Sequence, residues 1–187
     1  LSSDYRFLRG TLTHALLEHL PNVPQERWRD AAQQFIELRG QALPTETRAA
    51  LVEEVLAILT DPQFSALFGP ESRAEVPVAA AIPDPIGRRP ELRITGQIDR
   101  LVRLPDAVLL LDYKTNRPPP QQPQDVPAAY LMQLAAYRLV LREVFPELPV
   151  RAAILWTDGA RLMPIPSDLL DIHEEMLWRR DSVQLDA

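Results

Sequence analysis

The stretch Val108-Leu109-Leu110-Leu111-Asp112-Tyr113-Lys114-Thr115 joins an uninterrupted apolar run to a charged end. Such a run is typical of a strand that is buried on both faces, which predicts a central position in a sheet. Pro105-Asp106 precedes it as a turn, so residues 91–104 and 107–113 are predicted to pair as a hairpin. Because side chains two apart in a strand point to the same face, Asp112 and Lys114 share one side and Tyr113 faces away.

The chain before this hairpin changes from a helical to a strand-like pattern near residue 72. Three segments carry apolar residues at helical spacing: residues 4–20, a segment after Pro24, and residues 45–59. Asp61-Pro62 is expected to end the third helix. Alternation of apolar and polar residues then predicts strands in Ala74–Val78 and Leu92–Asp99.

The chain after Lys114 opens with a proline-rich segment, residues 115–127, which predicts an extended polyproline-type loop. Pro127 fits the first turn of a helix that runs to about residue 144. A strand over residues 152–157, an Asp158-Gly159 turn and a final helix are predicted to complete the chain. We therefore expect an α/β fold in which residues 1–187 form one domain. Within it, a helical segment (1–70) packs on an αβ core (71–187).

Composition limits the possible classes of protein. The 187 residues are 46% apolar, which suffices for a sizeable core, and they include no cysteine. Disulfides, cysteine-based zinc sites and an iron–sulfur cluster are therefore excluded, and a reducing cytoplasm fits. No apolar run approaches the roughly 18 residues of a membrane span, so we expect no membrane association. The chain begins at Leu1, and we expect it to be a fragment of a longer protein.

The net charge of −6 is unusual for a protein that acts on nucleic acid. Non-specific affinity for DNA comes from cations that release counterions from the phosphates. This chain alone is therefore expected to bind DNA poorly. An acidic domain can still cut DNA if metal ions neutralise its site and a tethered partner delivers the strand.

Two aspartates at strand ends, Asp99 and Asp112, are candidate ligands for a divalent metal. Mg²⁺ prefers oxygen ligands and usually takes one or two protein carboxylates, and the backbone carbonyl of Tyr113 can add another oxygen. Phosphodiester hydrolysis needs such an ion to stabilise charge and support the leaving alkoxide. The ammonium of Lys114 beside the carboxylates can orient the attacking water, help deprotonate it or offset charge in the transition state.

Three further positions are candidates with an open alternative. His14 shares a helical face with Gly10, whose missing side chain lets another segment approach, and its imidazole can bind metal. The alternative is an ordinary buried or surface histidine, the interpretation we give to His19 and His173. Glu75 can reach the metal from the first strand or be a solvated strand-end acid, with Pro77 close by.

Gln133 and Tyr137 lie four apart on the predicted helix after the proline-rich loop. They therefore share one face, to which Tyr130 is adjacent. Such a face can position Lys114 or a phosphate. The alternative is ordinary partial burial of both side chains.

Together these residues resemble the PD-(D/E)XK nuclease superfamily, and within it the RecB-like exonuclease branch. The resemblance covers nearly the whole chain, and its motifs are Gly10 to His14, Gly96-Gln97-Ile98-Asp99, Asp112-Tyr113-Lys114-Thr115 and Gln133-Leu134-Ala135-Ala136-Tyr137. It is strongest to the C-terminal nuclease domain of the AddA subunit of bacterial AddAB helicase–nucleases, where a similar strand leads into a proline-rich loop.

This resemblance implies a restriction-endonuclease-like fold, in which helices flank a mixed central sheet, and a role for each motif residue. It implies that His14, Asp99 and Asp112 bind Mg²⁺ or Mn²⁺ with the carbonyl of Tyr113, that Lys114 is catalytic, and that Gln133 and Tyr137 line the site. It also implies a longer chain with an ATP-binding helicase motor, an AddB-like partner subunit, and action on DNA at double-strand breaks. The expected function is a metal-dependent DNA exonuclease that degrades a single strand delivered by the motor.

Two alternatives to this function remain. The first is a catalytically silent module that uses the fold to hold a partner or guide a strand, against which the intact Asp99, Asp112 and Lys114 argue. The second is a free-standing restriction or resolvase-type endonuclease. The acidic charge and the lack of an evident sequence-reading element argue against that second alternative.

Overall fold

A computed structural model of the chain describes residues 3–179 and 182–184. Five α-helices are present in this part of the chain: α1 Ser3–His19, α2 Trp28–Arg39, α3 Thr45–Thr60, α4 Ala128–Val144 and α5 Ser167–Leu177. Six strands accompany them: β1 Ser72–Ile82, β2 Leu92–Arg103, β3 Val108–Lys114, β4 Val150–Trp156, β5 Arg161–Ile165 and β6 Ser182–Gln184. Short 3₁₀ segments lie at Leu20–Asn22, Gln25–Arg27, Pro62–Phe68 and Pro123–Asp125.

The strands form one mixed sheet in the order β1-β2-β3-β4-β5, and β6 pairs with β2 outside this path. β1, β2 and β3 pair in antiparallel fashion, whereas β6 runs parallel to β2. β3 and β4 are also parallel, since backbone hydrogen bonds join the start of each strand (Val108 N–H to Pro149 O) and the end of each (Thr157 N–H to Lys114 O). Helices flank this sheet, as the resemblance implied.

β3 is the middle strand of the five-strand path, and six of its seven residues are buried. Leu110 and Leu111 are fully inaccessible to solvent. A strand with neighbours on both edges and layers on both faces must be apolar throughout, which is why its sequence does not alternate. The predicted hairpin and the predicted burial of this strand on both faces are confirmed.

Two strands were not predicted. β5 contains Pro164, which usually argues against a strand, but β5 ends the five-strand path and an edge strand tolerates a missing N–H donor. β6 pairs with residues 93–95 of β2, a non-local contact with no local pattern. The final helix is therefore not the last element, and the prediction that it completes the chain was wrong. The loop over 115–127 also contains a 3₁₀ turn at Pro123–Asp125.

The chain divides into two compact units. The first comprises Leu1–Pro70, Tyr113–Pro119 and Leu155–Arg161, and the second comprises Glu71–Asp112, Pro120–Ile154 and Leu162–Ala187. α1 to α3 belong to the first unit, whereas β1, β2, α4 and α5 belong to the second. The organisation of the chain as one nuclease domain stays a prediction.

In the second unit an arginine on α4 forms a buried ion network. The Arg138 side chain is fully buried and pairs with Glu174 and Asp171 on α5, while it also donates to the Ser167 carbonyl. A buried guanidinium needs such partners, because removing one of them would leave an uncompensated charge. The network therefore fixes α5 on α4 in one register. Within the described residues, no helix is both long and apolar enough to span a bilayer.

Candidate active site

In the second unit, two buried aspartates meet where β2 and β3 stop pairing. The last backbone pair in this direction is Arg100 with Leu111, and one further step of the same register aligns Asp99 with Asp112. Both residues are 4% exposed. Residues directly opposite in an antiparallel pair point to the same face with Cβ atoms about 5 Å apart. Two buried carboxylates on neighbouring strands repel each other unless cations or hydrogen-bond donors offset their charge.

Glu75 adds a third carboxylate from the neighbouring strand β1. The register pairs Ala74 with Arg100 and Val76 with Ile98, which sets Glu75 opposite Asp99. Oxygen atoms of the Glu75 and Asp99 carboxylates lie within 4.8 Å of each other. This spacing suits two oxygens bound to one divalent ion, whose ligand distances are about 2.0–2.6 Å.

The backbone of Glu75 is strained. Its φ of +51° lies in the left-handed region, which costs a residue other than glycine on the order of 1–3 kcal/mol and recurs at functional sites. The regular pairing of β1 with β2 skips Glu75 and Asp99. The Glu75 carbonyl accepts a hydrogen bond of 3.3 Å from the Gln97 side chain instead. Pro77, by contrast, keeps regular register with Gln97 on an edge strand. The irregularity near Pro77 thus lies at Glu75 itself.

Tyr137 on α4 supplies hydrogen bonds that the sheet does not. Its hydroxyl donates to the Gln97 carbonyl at 2.7 Å and accepts from the Gln97 N–H at 3.0 Å. Tyr137 therefore takes the place of a partner strand beside β2, two residues from Asp99. The sequence predicted a face that lines the site, and the structure places the hydroxyl on the backbone that carries Asp99.

Electrostatics connect Tyr137 with both aspartates. Burial raises the pKa of the Tyr137 phenol, hydrogen bonds from the Gln97 backbone and the Gln133 side chain oppose this, and the charges of Asp112 and Asp99 raise it further. A phenol with a raised pKa stays protonated at neutral pH, so its proton remains available to the Gln97 carbonyl. Both carboxylates therefore contribute to the electrostatic environment of this hydroxyl.

We expect Tyr137→Phe to destabilise the second unit locally. The substitution leaves the N–H and C=O of Gln97 without this partner. A half-buried polar group that loses its hydrogen-bond partner costs on the order of 1–3 kcal/mol of folding stability. Urea unfolding should show a decrease of that size in the free energy of unfolding. Hydrogen exchange should accelerate at the Gln97 amide more than at the Val102 amide, which lies in the regular β-ladder. Equal exchange at Gln97 in wild type and variant would contradict the assigned bond.

In the first unit, His14 lies against the ring of Tyr113. The two ring centroids are 5.5 Å apart in an edge-to-face arrangement, and Phe68 stacks on Tyr113 at 6.4 Å. The Tyr113 side chain is buried, as expected for the residue between Asp112 and Lys114 that faces the other way. His14 is half-buried and so accessible to a ligand. His19 is exposed beside Glu18, in keeping with an ordinary surface histidine.

Gly10 has a looser role than the sequence suggested. A Cβ built at this position would meet the Thr115 hydroxyl at 3.5 Å, which is an ordinary van der Waals distance. A segment does approach Gly10 on α1, and it is the one that follows Lys114. The space would nevertheless accept a methyl group, so glycine is not strictly required there.

The same segment is held by an ion network that sequence reasoning missed. The Arg9 side chain is buried, donates to the Thr115 carbonyl at 3.3 Å and pairs with Glu54 on α3. Glu54 also pairs with Arg117, so one carboxylate joins two cations from different segments. Nothing in the sequence around Glu54 distinguishes it from other helix-surface acids, since its partners are distant in the chain.

Lys114 is fixed on its other side by β4. The Lys114 carbonyl accepts a hydrogen bond of 3.0 Å from the Thr157 N–H, and Arg117 lies 3.6 Å from Asp158 in the following turn. A hydrogen bond therefore holds the backbone of Lys114, and an ion pair holds the residue Arg117 that follows it in the chain. A rigid backbone restricts where the ammonium can reach, as positioned catalytic groups require.

Comparison with known proteins gives a family match, a related protein and a solved structure. The sequence model of the PD-(D/E)XK nuclease superfamily matches residues 2–178. An ATP-dependent helicase/nuclease subunit from Moorella thermoacetica is 28% identical over 166 residues, which is 81% of this chain and 11% of that protein. The chain therefore spans about a tenth of its relative's length. A solved structure described as the crystal structure of SSO0001 is 15% identical with a TM-score of 0.39, and the match covers 93% of this chain and 85% of that one.

Proposed function

The chain belongs to the PD-(D/E)XK nuclease superfamily, and on that premise we propose that it is a metal-dependent DNA exonuclease domain. We further propose that it acts within an ATP-dependent helicase–nuclease in the repair of double-strand breaks by recombination. The observation that carries the nuclease proposal is the set of carboxylates on adjacent strands, Asp99 beside Asp112 and Glu75, with Lys114 two residues after Asp112.

The donor set fits a hard divalent cation. Carboxylate oxygens from Asp99, Asp112 and Glu75 are the ligands that Mg²⁺ and Mn²⁺ prefer, and two of them lie within 4.8 Å. His14 and the Tyr113 carbonyl are proposed as additional ligands. When bound, the ion would neutralise the carboxylates and stabilise negative charge that develops on the scissile phosphate.

Lys114 is proposed as the catalytic group. Its ammonium would hold the attacking water, take part in the transfer of its proton and offset charge on the phosphate in the transition state. Asp112, on the same strand face, would orient that ammonium. Tyr137 would act from α4 by holding the backbone of Gln97, which keeps Asp99 in place, and Gln133 would hold the Tyr137 hydroxyl by a side-chain hydrogen bond.

The larger context rests on the relative and on charge. The Moorella protein is called a helicase/nuclease subunit, which supports a motor, with ATP bound outside this chain, and an AddB-like partner. A net charge of −6 supports delivery of a single DNA strand by such a motor rather than capture by this chain alone. We propose that this work takes place in a bacterial cytoplasm.

Degradation of end-labelled DNA tests the proposed function. Single- and double-stranded substrates would be incubated with the chain in Mg²⁺, Mn²⁺ or EDTA, with Asp99→Asn as the inactive control. We expect metal-dependent shortening of linear single strands, loss of cutting in EDTA and in the control, and survival of a closed single-stranded circle. Cutting of the circle would indicate an endonuclease. If the chain alone cuts in no metal, the same Asp99→Asn comparison in the full helicase–nuclease decides, where cutting that the substitution does not change would favour the silent docking module.

A further inference from the structure

A groove in the second unit lies away from the carboxylates, at the turn of the β1–β2 hairpin. Its volume is about 410 Å³. The turn and the C-terminal end of α5 line it, through Asp84, Pro85, Ile86, Arg88, Arg89, Glu175, Trp178 and Arg179. We call this feature the arginine groove.

The arginine groove is cationic on an acidic chain. Three arginines face two acids among its lining residues, a net charge of +1, whereas the whole chain carries −6. Asp84 attracts Arg89 through its charge, and it forms hydrogen bonds with the backbone of the turn. Its two carboxylate oxygens accept from the backbone N–H groups of Ile86 (3.4 Å), Arg88 (2.8 Å) and Arg89 (2.9 Å). These bonds fix the turn and leave the side chains of Arg88 and Arg89 exposed.

Aromatic and apolar surface lies beside these cations. Trp178 is half-buried at the end of α5, and Ile86 is 71% exposed at the tip of the turn. The exposed isoleucine and the partly exposed indole leave apolar surface in contact with water, which is unfavourable. Guanidinium groups beside an aromatic face form the combination that binds unpaired nucleic acid, because the cations contact phosphates while a base stacks on the ring.

We propose that the arginine groove binds an unpaired stretch of a DNA strand, with phosphates on Arg88, Arg89 and Arg179 and a base stacked on Trp178. The choice of DNA as ligand rests on the proposed function. A duplex keeps its bases stacked inside and offers none to an indole, which favours a single strand. An acidic peptide would satisfy the arginines but would leave the indole without a stacking partner.

The hairpin sets the distance from the arginine groove to the carboxylates. Asp99 lies seven residues after Leu92, the first residue of β2 beyond the turn, which corresponds to about 23 Å at the usual rise of about 3.3 Å per residue. A strand would need on the order of seven nucleotides at the stacked spacing of 3.4 Å to span that distance, and fewer when extended. The groove would thus hold the strand away from the point of cleavage.

Binding measured without cleavage tests this proposal. Fluorescence anisotropy with a labelled thymidine oligonucleotide in EDTA, over a salt series, would compare wild type with Trp178→Ala and with the double variant Arg88→Gln/Arg89→Gln. We expect Trp178→Ala to weaken binding about 5- to 100-fold. The arginine variant should lower the slope of log K against log salt by about 1.4, at about 0.7 for each lost phosphate contact. The double variant Arg6→Gln/Arg39→Gln removes the same charge from exposed positions on α1 and α2, and it should bind like wild type.

The outcomes separate this proposal from the proposed function. Weakened binding by both groove variants supports it, whether or not the chain cuts DNA in the nuclease assay. Equal binding by groove and control variants, or no salt-dependent binding by wild type, overturns it even if cutting is observed. Equal displacement of the oligonucleotide from wild type and Trp178→Ala by polyglutamate of matched charge also overturns it, in favour of an acidic peptide.

Discussion

Lys114→Ala is expected to abolish DNA cleavage while the fold and metal binding persist. Lys114 is the single lysine of the sequence, and all its remaining Lys and Arg residues are arginines. Arginine cannot lose its proton in proteins, whereas a lysine ammonium can shift its pKa and exchange one. Among the lysine and arginine residues of the chain, Lys114 is therefore the one able to transfer a proton, and it lies two residues after Asp112.

The size of the effect follows from general acid–base chemistry. A positioned proton-transfer group contributes about 100- to 10,000-fold to rate, so single-turnover cleavage by Lys114→Ala should fall by at least about 100-fold. Binding of Mn²⁺, followed by calorimetry, should change little because the ammonium is not a ligand. Unchanged cleavage by the purified variant would rule out Lys114 as the catalytic group.

Lys114→Arg separates the two roles of the ammonium. Arginine keeps the positive charge but does not deprotonate, so it can offset charge in the transition state and cannot take up a proton. Cleavage by this variant as slow as that by Lys114→Ala would assign proton transfer to Lys114. Substantial activity would assign it the role of charge stabilisation.

Chemical modification of the single lysine offers an independent test of its catalytic role. An amine-reactive acylating reagent can modify Lys114 and the chain's amino terminus, and no other side-chain amine exists in the sequence. We expect acylation at Lys114 to inactivate the wild-type chain at the rate at which that site is modified. Lys114→Arg, which lacks the side-chain amine, serves as the matched control because its residual activity should resist the reagent.

The central part of the fold was predictable because its causes are local. An apolar run without alternation predicted β3 as a strand buried on both faces, and Pro105-Asp106 predicted the turn before it. The spacing of Asp112 and Lys114 followed from the strand period alone. These inferences need nothing beyond the immediate sequence.

Other features depend on contacts between distant residues and left no local pattern. β6 becomes a strand only because residues 93–95 of β2 lie beside it. The Tyr137 hydroxyl reaches the Gln97 backbone across 40 residues of chain, and the left-handed backbone at Glu75 carries no sequence signal such as glycine. The strongest overlooked signal was compositional, since Lys114 stands alone among arginines.

Asp112→Asn is expected to abolish both metal binding and cleavage while the metal-free protein becomes no less stable. Asp112 and Asp99 are buried on aligned positions of adjacent strands, so without a cation their charges repel. Removal of one charge relieves that repulsion and at the same time removes an oxygen ligand that Mg²⁺ prefers to an amide.

Thermal unfolding with and without metal measures both effects at once. A ligand that binds the folded state stabilises it by about 2.7 kcal/mol at a concentration 100 times its dissociation constant. Wild type should therefore gain several degrees in Tm when Mn²⁺ replaces EDTA, and Asp112→Asn should gain little. Because loss of a residue that supports a metal ligand already costs 10- to 100-fold, loss of the ligand itself should slow cleavage by at least about 100-fold.

The matched control for this test is Asp125→Asn. Asp125 is an exposed acid in the same unit, on the 3₁₀ turn before α4. Its substitution therefore removes the same charge at a position outside the paired strands that carry Asp99 and Asp112. Its Tm should rise with Mn²⁺ as much as that of wild type. If Asp112→Asn showed that same rise, the cation would not bind between the strands, and the carboxylates would need another explanation, such as a site that holds its charges apart through hydrogen bonds alone.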